Sequence, residues 1–305
     1  MKIVLAGATG FIGQKLIQRL LQEKHELILL ARDPEKAAQK FGPTLTTFNW
    51  DGRTHGDWFR SIDGADAVIN LTGESIAGKR WNRRQKEKIR SSRIEATQII
   101  VKAIEAAENK PSTLINASAV GYYGDVPADT VTENYPGSTD FLGALSEEWE
   151  KTAMHANVFG TRVVCPRIGI VLGADGGALE KMVLPFKLFA GGPLGSGNQW
   201  FPWIHIDDLI GAFLFVLENQ DISGGVNFTA PNPVTMKVFC KKLGKVLGRP
   251  SWAPVPAIAL RLAVGEFANF LLSGQKAVPE KLLENGFEFI YVDAEKALEN
   301  LLEKK

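Results

Sequence analysis

The 305-residue sequence has little of what defines several broad classes of protein. It holds two cysteines, Cys165 and Cys240, which are too few for a disulfide framework, and their apolar surroundings predict that both pack in the core. Its four histidines are scattered, so the sequence shows no metal-ligand spacing and we expect no bound metal. The formal net charge is only +1, which argues against a general nucleic-acid surface.

Long apolar runs are also missing. No run approaches the roughly 20 apolar residues that cross a bilayer, and glycines interrupt the apolar N-terminus, MKIVLAGATG, too early for a signal peptide. The sequence has no Gly-x-Ser-x-Gly motif, the nucleophile elbow of the α/β-hydrolases. We therefore expect a cytoplasmic monomer or homodimer that takes a small-molecule substrate and binds neither nucleic acid nor a membrane.

What the sequence does contain is an alternation of apolar runs and amphipathic stretches over its first 172 residues. Near-continuous apolar strands that alternate with helices indicate a parallel sheet covered on both faces. The predicted fold class is therefore α/β, with a doubly wound parallel Rossmann sheet. The predicted strands are 2–6, 26–31, 44–50, 66–71, 112–118 and 160–168, and the clearest helices are 11–24 and 93–108.

The regular alternation of predicted strands and helices breaks down after about residue 172. A Gly/Pro-rich loop with aromatic residues follows (189–203), and this loop either binds substrate or has a structural place in a domain seam. After it come a helix near 208–219, a strand near 225–229, a helix near 235–247 and a mixed tail. We predict a Rossmann domain of residues 1–172 plus about 203–230, and a smaller C-terminal α+β substrate or lid domain of about 173–202 and 231–305.

The first predicted strand runs directly into GATGFIG, in which Gly7, Gly10 and Gly13 are three residues apart. In a Rossmann fold, the first glycine allows a tight turn, the second lets the backbone approach a pyrophosphate, and the third lets helix and strand pack closely. The start of the helix then offers free N–H groups to the phosphates. We predict a dinucleotide site here, which also includes Thr9, Phe11 and Ile12.

The end of the second strand discriminates between cofactors, because NAD-binding chains usually carry an acid there that holds the ribose 2′-hydroxyl. Here the strand ends in Ala31 and Arg32. Arg32 would form a charge-assisted pair with a 2′-phosphate, so the predicted cofactor is NADP. The next residue, Asp33, is typical of a helix N-cap. Asp51, after the third strand, either accepts a hydrogen bond from the adenine amino group or serves as a turn residue.

A third part of the predicted cleft follows the fourth strand. Ligands in open α/β sheets lie off the carboxyl ends of the strands. The segment INLTGES ends that strand, so Leu71, Thr72 and Gly73 are expected to line the cofactor ribose. Gly73 leaves room there for a close backbone approach.

Together these motifs resemble the extended short-chain dehydrogenase/reductase superfamily, of the sugar-nucleotide epimerase type. GATGFIG, AVINLTG, INASAVGYYG, PRIGIVLG and WIHIDDL fall in its order and spacing over about residues 1–230. GESIAGKRWN, FLGALSEEWE and the tail from GRPSWAPVP to EKLLENGF resemble more narrowly an atypical subgroup, labelled only "epimerase family protein". The resemblance implies an NADP-dependent oxidoreductase or epimerase that acts on a carbonyl or sugar-nucleotide-like substrate.

The resemblance also shows that a pair of catalytic residues expected in the superfamily is missing from this sequence. In the superfamily, a Ser or Thr after the fifth strand works with a Tyr-x-x-x-Lys pair on the next helix, in which tyrosinate is the base and the lysine lowers its pKa. Ser118 matches the first element. At the spacing expected for the pair, however, this chain has Phe141 and Leu145, and neither side chain transfers a proton. Catalytic roles therefore do not carry over to this helix.

Three residues near the fifth strand are candidates to polarise a carbonyl instead: Ser118, Tyr122 and Tyr123. Each has a structural alternative, since the two tyrosines also suit a packed aromatic turn and the serine a hydroxyl bonded to the backbone. Arg93 stands where the superfamily places a helix Asn that faces the cofactor. We predict that Arg93 contacts the cofactor, with a solvated helix charge as the alternative.

Two functions stay open at this point. The first is an NADP-dependent oxidoreductase or epimerase with a non-standard proton donor, and the second is a non-catalytic NADP-binding sensor or regulatory protein. The intact glycine loop suits both, and the missing Tyr–Lys pair favours the second. His205 and Asp207 in WIHIDDL look like a catalytic pair, but we expect His205 to anchor a strand end and Asp207 or Asp208 to cap the following helix.

Overall fold

The computed structural model describes residues 1–42 and 45–303, so the first residue of the predicted strand 44–50 lies outside the described residues. The strands are β1 (Lys2–Ala6), β2 (Glu26–Ala31), β3 (Thr46–Asn49), β4 (Ala67–Asn70), β5 (Thr113–Asn116), β6 (Ser118–Ala119), β7 (Val126–Val131), β8 (Arg162–Ile168), β9 (Ile170–Gly173), β10 (Trp200–Phe201), β11 (Trp203–His205), β12 (Gly224–Phe228), β13 (Val234–Thr235) and β14 (Gln275–Ala277). The α-helices are α1 (Phe11–Gln22), α2 (Pro34–Phe41), α3 (Arg83–Ala106), α4 (Phe141–Met154), α5 (Gly177–Lys187), α6 (Ile206–Glu218), α7 (Met236–Leu247), α8 (Ala257–Val264), α9 (Phe267–Leu272), α10 (Glu280–Glu284) and α11 (Ala294–Leu302). Short 3₁₀ turns cover Asp57–Ser61, Val120–Tyr123 and His155–Phe159.

The central sheet is parallel throughout. Its strand order is β12-β8-β5-β4-β1-β2-β3, and β6 pairs beside β8. Ala6 of β1 lies between Leu30 of β2 and Asn70 of β4, so the carboxyl ends of these strands form one edge of the sheet. The predicted α/β class with a doubly wound parallel Rossmann sheet is confirmed, and the three predicted parts of the cleft meet at this edge.

Alternate side chains of each strand enter separate cores on the two faces of the sheet. On one face, Leu5 packs with Leu16 of α1 and Phe213 of α6. On the other face, Val4 packs in a core that includes Ile100 of α3. Burial on both faces is the reason that these strands are nearly continuous apolar runs in the sequence.

A third core lies towards the C-terminus. Phe201 and Trp203 pack there with Phe239 of α7 and Leu298 of α11. Strand pairs β9–β11 and β10–β13 form small two-stranded sheets outside the central one. The smaller C-terminal region is therefore mainly helical with short strands, and the exact domain boundaries stay a prediction.

Two helix starts differ from those expected. The helix predicted from residue 93 begins at Arg83, because the side chain of Asn82 accepts a hydrogen bond from the Gln85 N–H and caps it. Helix α6 is capped by His205, whose Nδ1 accepts from the Asp207 N–H at 3.1 Å, and not by an aspartate. His205 thus has a structural place, as expected, but it fills the role that the sequence suggested for its neighbours.

Both cysteines are buried and free, which confirms that they pack in the core. Burial raises the pKa of the Cys165 and Cys240 thiols and so keeps them in the unreactive form. Within residues 1–42 and 45–303, no three His, Cys, Asp or Glu side chains are grouped in a way that would hold a metal ion. No helix in the same part of the chain combines the length and apolarity needed to cross a membrane.

Candidate functional site

The three glycines of the first βα turn differ in the space around them. Gly7 has a φ of +77°, and a Cβ added to it would lie 2.6 Å from the carbonyl carbon of Leu71. A Cβ on Gly13 would lie 2.6 Å from the backbone oxygen of Ala8. At Gly10, by contrast, the nearest heavy atom would be 3.6 Å away. Gly7 and Gly13 are therefore required by the fold itself, whereas Gly10 leaves open space in front of the backbone.

The N-terminus of α1 borders this open space. Gly10 is its N-cap and provides no side chain for capping, and the first turn carries no acid. The ring of Phe11 packs against the loop at Gly173, and Ile12 packs against the core below the sheet. What these residues offer a ligand is their backbone N–H groups and the positive end of the helix dipole, which together suit a phosphate. Thr9 is exposed beside them.

Thr72 lies on the same edge, directly after β4. Its Oγ1 is buried and has no hydrogen-bond partner among the described residues. Its N–H donates to Asn70 Oδ1 at 3.1 Å, so the backbone here is held by the buried amide of the strand end. A buried hydroxyl without a partner is costly unless a ligand or water supplies one. The predicted site residue Thr72 therefore has an unmet hydrogen-bonding need at the predicted cofactor edge, while Leu71 beside it packs partly into the core.

At the end of β2, Ala31 is buried and the Arg32 side chain is exposed. Among the described residues, no carboxylate lies within 4 Å of the Arg32 guanidinium. Asp33 caps α2, since its carboxylate accepts from the Lys36 N–H at 3.1 Å, as the sequence predicts. Asp51 accepts from the backbone N–H groups of residues 53 and 54, which selects the turn-residue alternative. Arg32 is thus the charge left available to a ligand at this end.

Arg93 of α3 reaches the backbone that follows β4. Its Nη1 donates to the carbonyl oxygens of Glu74 and Ile89 at 3.0 and 2.9 Å. The guanidinium carbon would lie 3.0 Å from a Cβ placed on Gly73, and it sits 5.2 Å from the centre of the Trp149 ring. Arg93 is therefore partly buried at the predicted cleft and is not a solvated helix charge. Because Gly73 has no side chain, the guanidinium can lie close to the backbone at this position.

The helix that would carry the superfamily's proton-transfer pair is apolar at those positions. Asp140 caps α4 by accepting from two backbone N–H groups. The Phe141 ring packs edge-on against Trp81, with centroids 5.3 Å apart. Leu145 is only 5% exposed and packs in a core cluster with Ile89 and Trp149. Neither the Phe141 ring nor the Leu145 side chain carries a group that can exchange a proton, and both are used in packing.

Ser118 is buried, and its hydroxyl is bonded to an acid of α4. Its hydroxyl donates to Glu150 Oε1 at 2.6 Å. Arg167 pairs with the same carboxylate through two hydrogen bonds of 2.9 Å, from Nε and from Nη2. A serine has one proton to donate, and here the carboxylate takes it. The predicted role of Ser118 in polarising a carbonyl is therefore disfavoured by the geometry.

The tyrosines lie beside the same ion pair. The Tyr123 hydroxyl donates to Asn227 Oδ1 at 2.7 Å and accepts from Arg167 Nη1 at 2.8 Å, and burial raises the pKa of Tyr123 well above its usual value. The ring of Tyr122 stacks on the Arg167 guanidinium at 3.6 Å. Its hydroxyl has no hydrogen-bond partner among the described residues. The packed-turn alternative fits both tyrosines, and the predicted catalytic role is disfavoured for Tyr123 in particular.

The sequence did not single out Glu150 or Asn227, which fix these hydroxyls. Glu150 sits in SEEWEK, a stretch that reads as a solvated helix face. The sequence feature that could have indicated its burial is its position one residue after Trp149 and three before Ala153, both of which are buried. In the aromatic loop 189–203, Phe201 and Trp203 are buried in the third core and Trp200 donates to the Pro127 carbonyl, and these contacts fit the structural alternative.

A cavity of about 400 Å³ opens at the start of α3, next to Phe141. Apart from Phe141 its lining residues are polar or charged, and one of them is Glu266, the residue before α9. Lys86 spans it by pairing with Glu266, and its Nζ lies 4.9 Å from the centre of the Phe141 ring. The lining residues are Asn82, Arg83, Lys86, Glu87, Arg90, Phe141 and Glu266.

Two family descriptions match the chain. Residues 3–228 match the NAD dependent epimerase/dehydratase family, and residues 255–301 match a domain of unknown function, DUF1731. The second match covers helices α8 to α11, which form most of the C-terminal region.

Relatives align with nearly the whole chain, so the alignments span both parts. The chain is 44% identical to the chloroplastic epimerase family protein SDR39U1 homolog of Arabidopsis thaliana, over 99% of this chain and 87% of that protein. It is 42% identical to the epimerase family protein YfhF of Bacillus subtilis, over 99% and 98%. The crystal structure of human epimerase family protein SDR39U1 (isoform 2) with NADPH has a TM-score of 0.89 at 35% identity and covers both chains fully. This chain therefore belongs to the NAD dependent epimerase/dehydratase family, within its group of epimerase family proteins.

Proposed function

We propose that this protein binds NADP(H) across the carboxyl ends of β1, β2 and β4. The observation that carries the proposal is the buried, unpartnered hydroxyl of Thr72 beside the open backbone at Gly10. A phosphate at Gly10 would satisfy the free N–H groups of α1, and a ribose beside Thr72 would satisfy its hydroxyl. The human relative, which was crystallised with NADPH, supports the choice of ligand.

Arg32 is proposed to distinguish NADP from NAD. It is exposed at the end of β2, where no described carboxylate competes for it, and the neighbouring acid is already engaged as a helix cap. A guanidinium there binds a 2′-phosphate by charge-assisted hydrogen bonds. In this conformation the Asp33 carboxylate caps α2, so it does not serve as the acid that would hold the ribose 2′-hydroxyl of NAD.

Replacing Arg32 with glutamate is expected to weaken NADP binding far more than NAD binding. A charge-assisted pair contributes roughly 1.5–3 kcal/mol, which corresponds to on the order of tenfold to a hundredfold in affinity. Calorimetric titration of both nucleotides measures the ratio. Lys24→Glu makes the same charge change at the opposite end of β2 and should leave that ratio unchanged. Equal losses for NADP and NAD in the Arg32 variant would show that Arg32 does not contact the 2′-phosphate.

Of the two uses for a bound cofactor, the geometry better supports an NADP(H)-binding sensor or regulatory protein with little turnover. Phe141 and Leu145 pack as apolar residues on α4, and the hydroxyls of Ser118 and Tyr123 have buried partners. A reductase or epimerase needs a group that gives or takes a proton at the substrate carbonyl. Phe141 and Leu145 have no such group, and the hydroxyls of Ser118 and Tyr123 are already bonded to buried partners.

An oxidoreductase or epimerase acting on a carbonyl or sugar-nucleotide-like substrate is the second candidate. The observation that favours it is a cavity of about 550 Å³ that Tyr122 lines, together with the cavity of about 400 Å³ beside Phe141. Tyr122 is then the remaining candidate proton donor among the three residues singled out in the sequence. Its hydroxyl is the one without a hydrogen-bond partner in the described part of the chain.

A screen of carbonyl and sugar-nucleotide substrates that follows NADPH absorbance separates the two candidates. If turnover is found, Phe141→Leu is expected to leave it nearly unchanged, because that ring packs and does not exchange a proton. Tyr122→Phe is expected to reduce it. Turnover that collapses in the Phe141 variant, at unchanged thermal stability, would contradict the assignment of α4 as a packing helix. Absence of turnover for every substrate is the result that the sensor proposal predicts.

A further inference from the structure

Arg93 is a partly buried cation at the nicotinamide end of the proposed cleft, and among the described residues no carboxylate forms an ion pair with it. Three other cations of this region are paired with acids: Lys86 with Glu266, Arg90 with Glu148, and Arg167 with Glu150. The hydrogen bonds of Arg93 go instead to two neutral carbonyl oxygens, those of Glu74 and Ile89. The Glu74 carboxylate is the acid that influences it most, yet it makes no ion pair with the guanidinium.

The surroundings leave this charge poorly solvated. The guanidinium is enclosed between the Gly73 backbone and the Trp149 ring. Burial lowers the pKa of Arg93 to about 10, and the nearby Glu74 offsets only part of that effect. Arg93 therefore stays protonated at neutral pH, and its field is not cancelled by a neighbouring carboxylate.

The strand order places Arg93 at one particular half of a dinucleotide. The pyrophosphate belongs at the turn after β1, and the adenosine ribose belongs at the end of β2. Strand β4 lies on the other side of β1 from β2. The segment Thr72–Gly73 after β4, against which Arg93 packs, therefore borders the nicotinamide half.

The two redox forms of the cofactor differ in charge at this half alone. The oxidised nicotinamide ring carries a positive charge and the reduced ring is neutral, whereas the phosphates are the same in both. We infer that the unpaired guanidinium of Arg93 makes the site select the reduced cofactor, NADPH, over NADP⁺. The inference rests on the proposed NADP(H) binding, and it gives the sensor a defined signal, the redox state of the NADP pool.

The size of the effect follows from repulsion between two like charges in a partly buried site. At separations of several ångströms and an effective dielectric constant near that of protein surfaces, such a repulsion corresponds to on the order of tenfold in affinity or more. By linkage, a tenfold preference for NADPH raises the reduction potential of the bound cofactor by about 30 mV for a two-electron couple, so bound NADPH is the weaker reductant. Arg93 also fixes the Gly73–Glu74 backbone, so variants at this position need a measure of fold as well as of affinity.

Calorimetric titration of the full chain with NADPH and with NADP⁺ tests the inference. Wild type should bind NADPH on the order of tenfold more tightly. Arg93→Gln should reduce that preference to near unity, and Arg93→Lys should retain most of it. Lys102→Gln removes an exposed charge elsewhere on α3, outside both cavities, and should keep the wild-type ratio. Thermal unfolding of each variant shows whether it is folded.

Each result has a separate consequence. Equal wild-type affinities for the two redox forms would overturn the inference and leave the proposed cofactor site intact, even if the Arg93 variants fail to fold. A parallel loss of both affinities in Arg93→Gln, with the ratio preserved, would overturn it too and would assign Arg93 to the pyrophosphate. No binding of either nucleotide by wild type would overturn the proposed function itself, and the inference with it.

Discussion

Replacing Gly10 with valine is expected to abolish NADP(H) binding, by on the order of a hundredfold or more in affinity, while the fold persists. The backbone at Gly10 has φ −75° and ψ 174°, which any L-residue adopts. A Cβ there would meet no atom closer than the Gly7 carbonyl oxygen at 3.6 Å. The valine side chain would therefore enter the space left for the pyrophosphate without disturbing the protein. Calorimetry measures the loss, and circular dichroism with thermal unfolding measures the fold.

Gly7 provides the contrast. Its φ of +77° and the 2.6 Å approach of a Cβ to Leu71 predict that Gly7→Val damages folding as well as binding. Gly10→Val should thus be folded but unable to bind the cofactor, whereas Gly7→Val should be destabilised. If Gly10→Val unfolded, the glycine would be structural first, and if it bound cofactor like wild type, the proposed phosphate position would be wrong.

Arg167→Leu is expected to lower the free energy of unfolding by about 3–5 kcal/mol, since it leaves the buried Glu150 carboxylate without its counter-charge. Arg167 is 6% exposed and supports four partners: the Glu150 carboxylate, the Tyr123 hydroxyl, the Glu133 carbonyl and the ring of Tyr122. Burial alone would lower the pKa of Arg167, yet the Glu150 carboxylate raises it above its ordinary value, which marks the pair as strongly coupled. Urea denaturation measures the loss.

The double variant Glu150→Met with Arg167→Leu is the matched control. Replacing both charges of a buried pair by apolar residues is often close to neutral, in contrast to removing one of them. The double variant should therefore recover most of the stability that the single variant loses. An Arg167→Leu protein as stable as wild type would show that the cluster around Ser118 and Tyr123 does not hold the structure together, and would reopen a catalytic role for these hydroxyls.

The fold could be predicted from the sequence because its signals are local. Strands buried on both faces, such as β1 and β4, are continuous apolar runs, and the glycine turn after β1 is read within seven residues. The first ten residues of α3 escaped prediction. They are mostly charged, with little apolar face of the kind that periodicity detects, and a side-chain cap at Asn82 starts the helix.

The site residues also fall into two groups, those whose roles follow from local sequence and those whose roles depend on distant partners. Gly10 and Arg32 act through the backbone and an exposed charge, so their neighbours in sequence are enough to suggest their roles. Ser118 and Tyr123 depend on partners 32 and 104 residues away, Glu150 and Asn227, which only the folded chain brings together. A hydroxyl at a strand end looks the same in the sequence whether it faces a ligand or a buried carboxylate.

The missing proton-transfer pair was a different kind of prediction, since it rests on what the chain lacks. Phe141 and Leu145 cannot act as an acid or a base in any environment, so no tertiary contact could reverse that conclusion. The structure adds what replaces the pair: an aromatic contact with Trp81 and a buried leucine against Ile89. Apolar packing thus fills the two positions at which the resemblance would place the pair.

A crystal structure of the wild-type protein with NADPH tests most directly whether this is a cofactor site without the superfamily's proton relay. We predict Thr72 Oγ1 within hydrogen-bond distance of the cofactor, about 2.7–3.2 Å, with the 2′-phosphate at Arg32 and the pyrophosphate at Gly10. The Ser118 hydroxyl should remain on Glu150, and Phe141 and Leu145 should remain packed. NADPH bound elsewhere, or a Ser118 hydroxyl turned from Glu150 towards the nicotinamide ring, would contradict it.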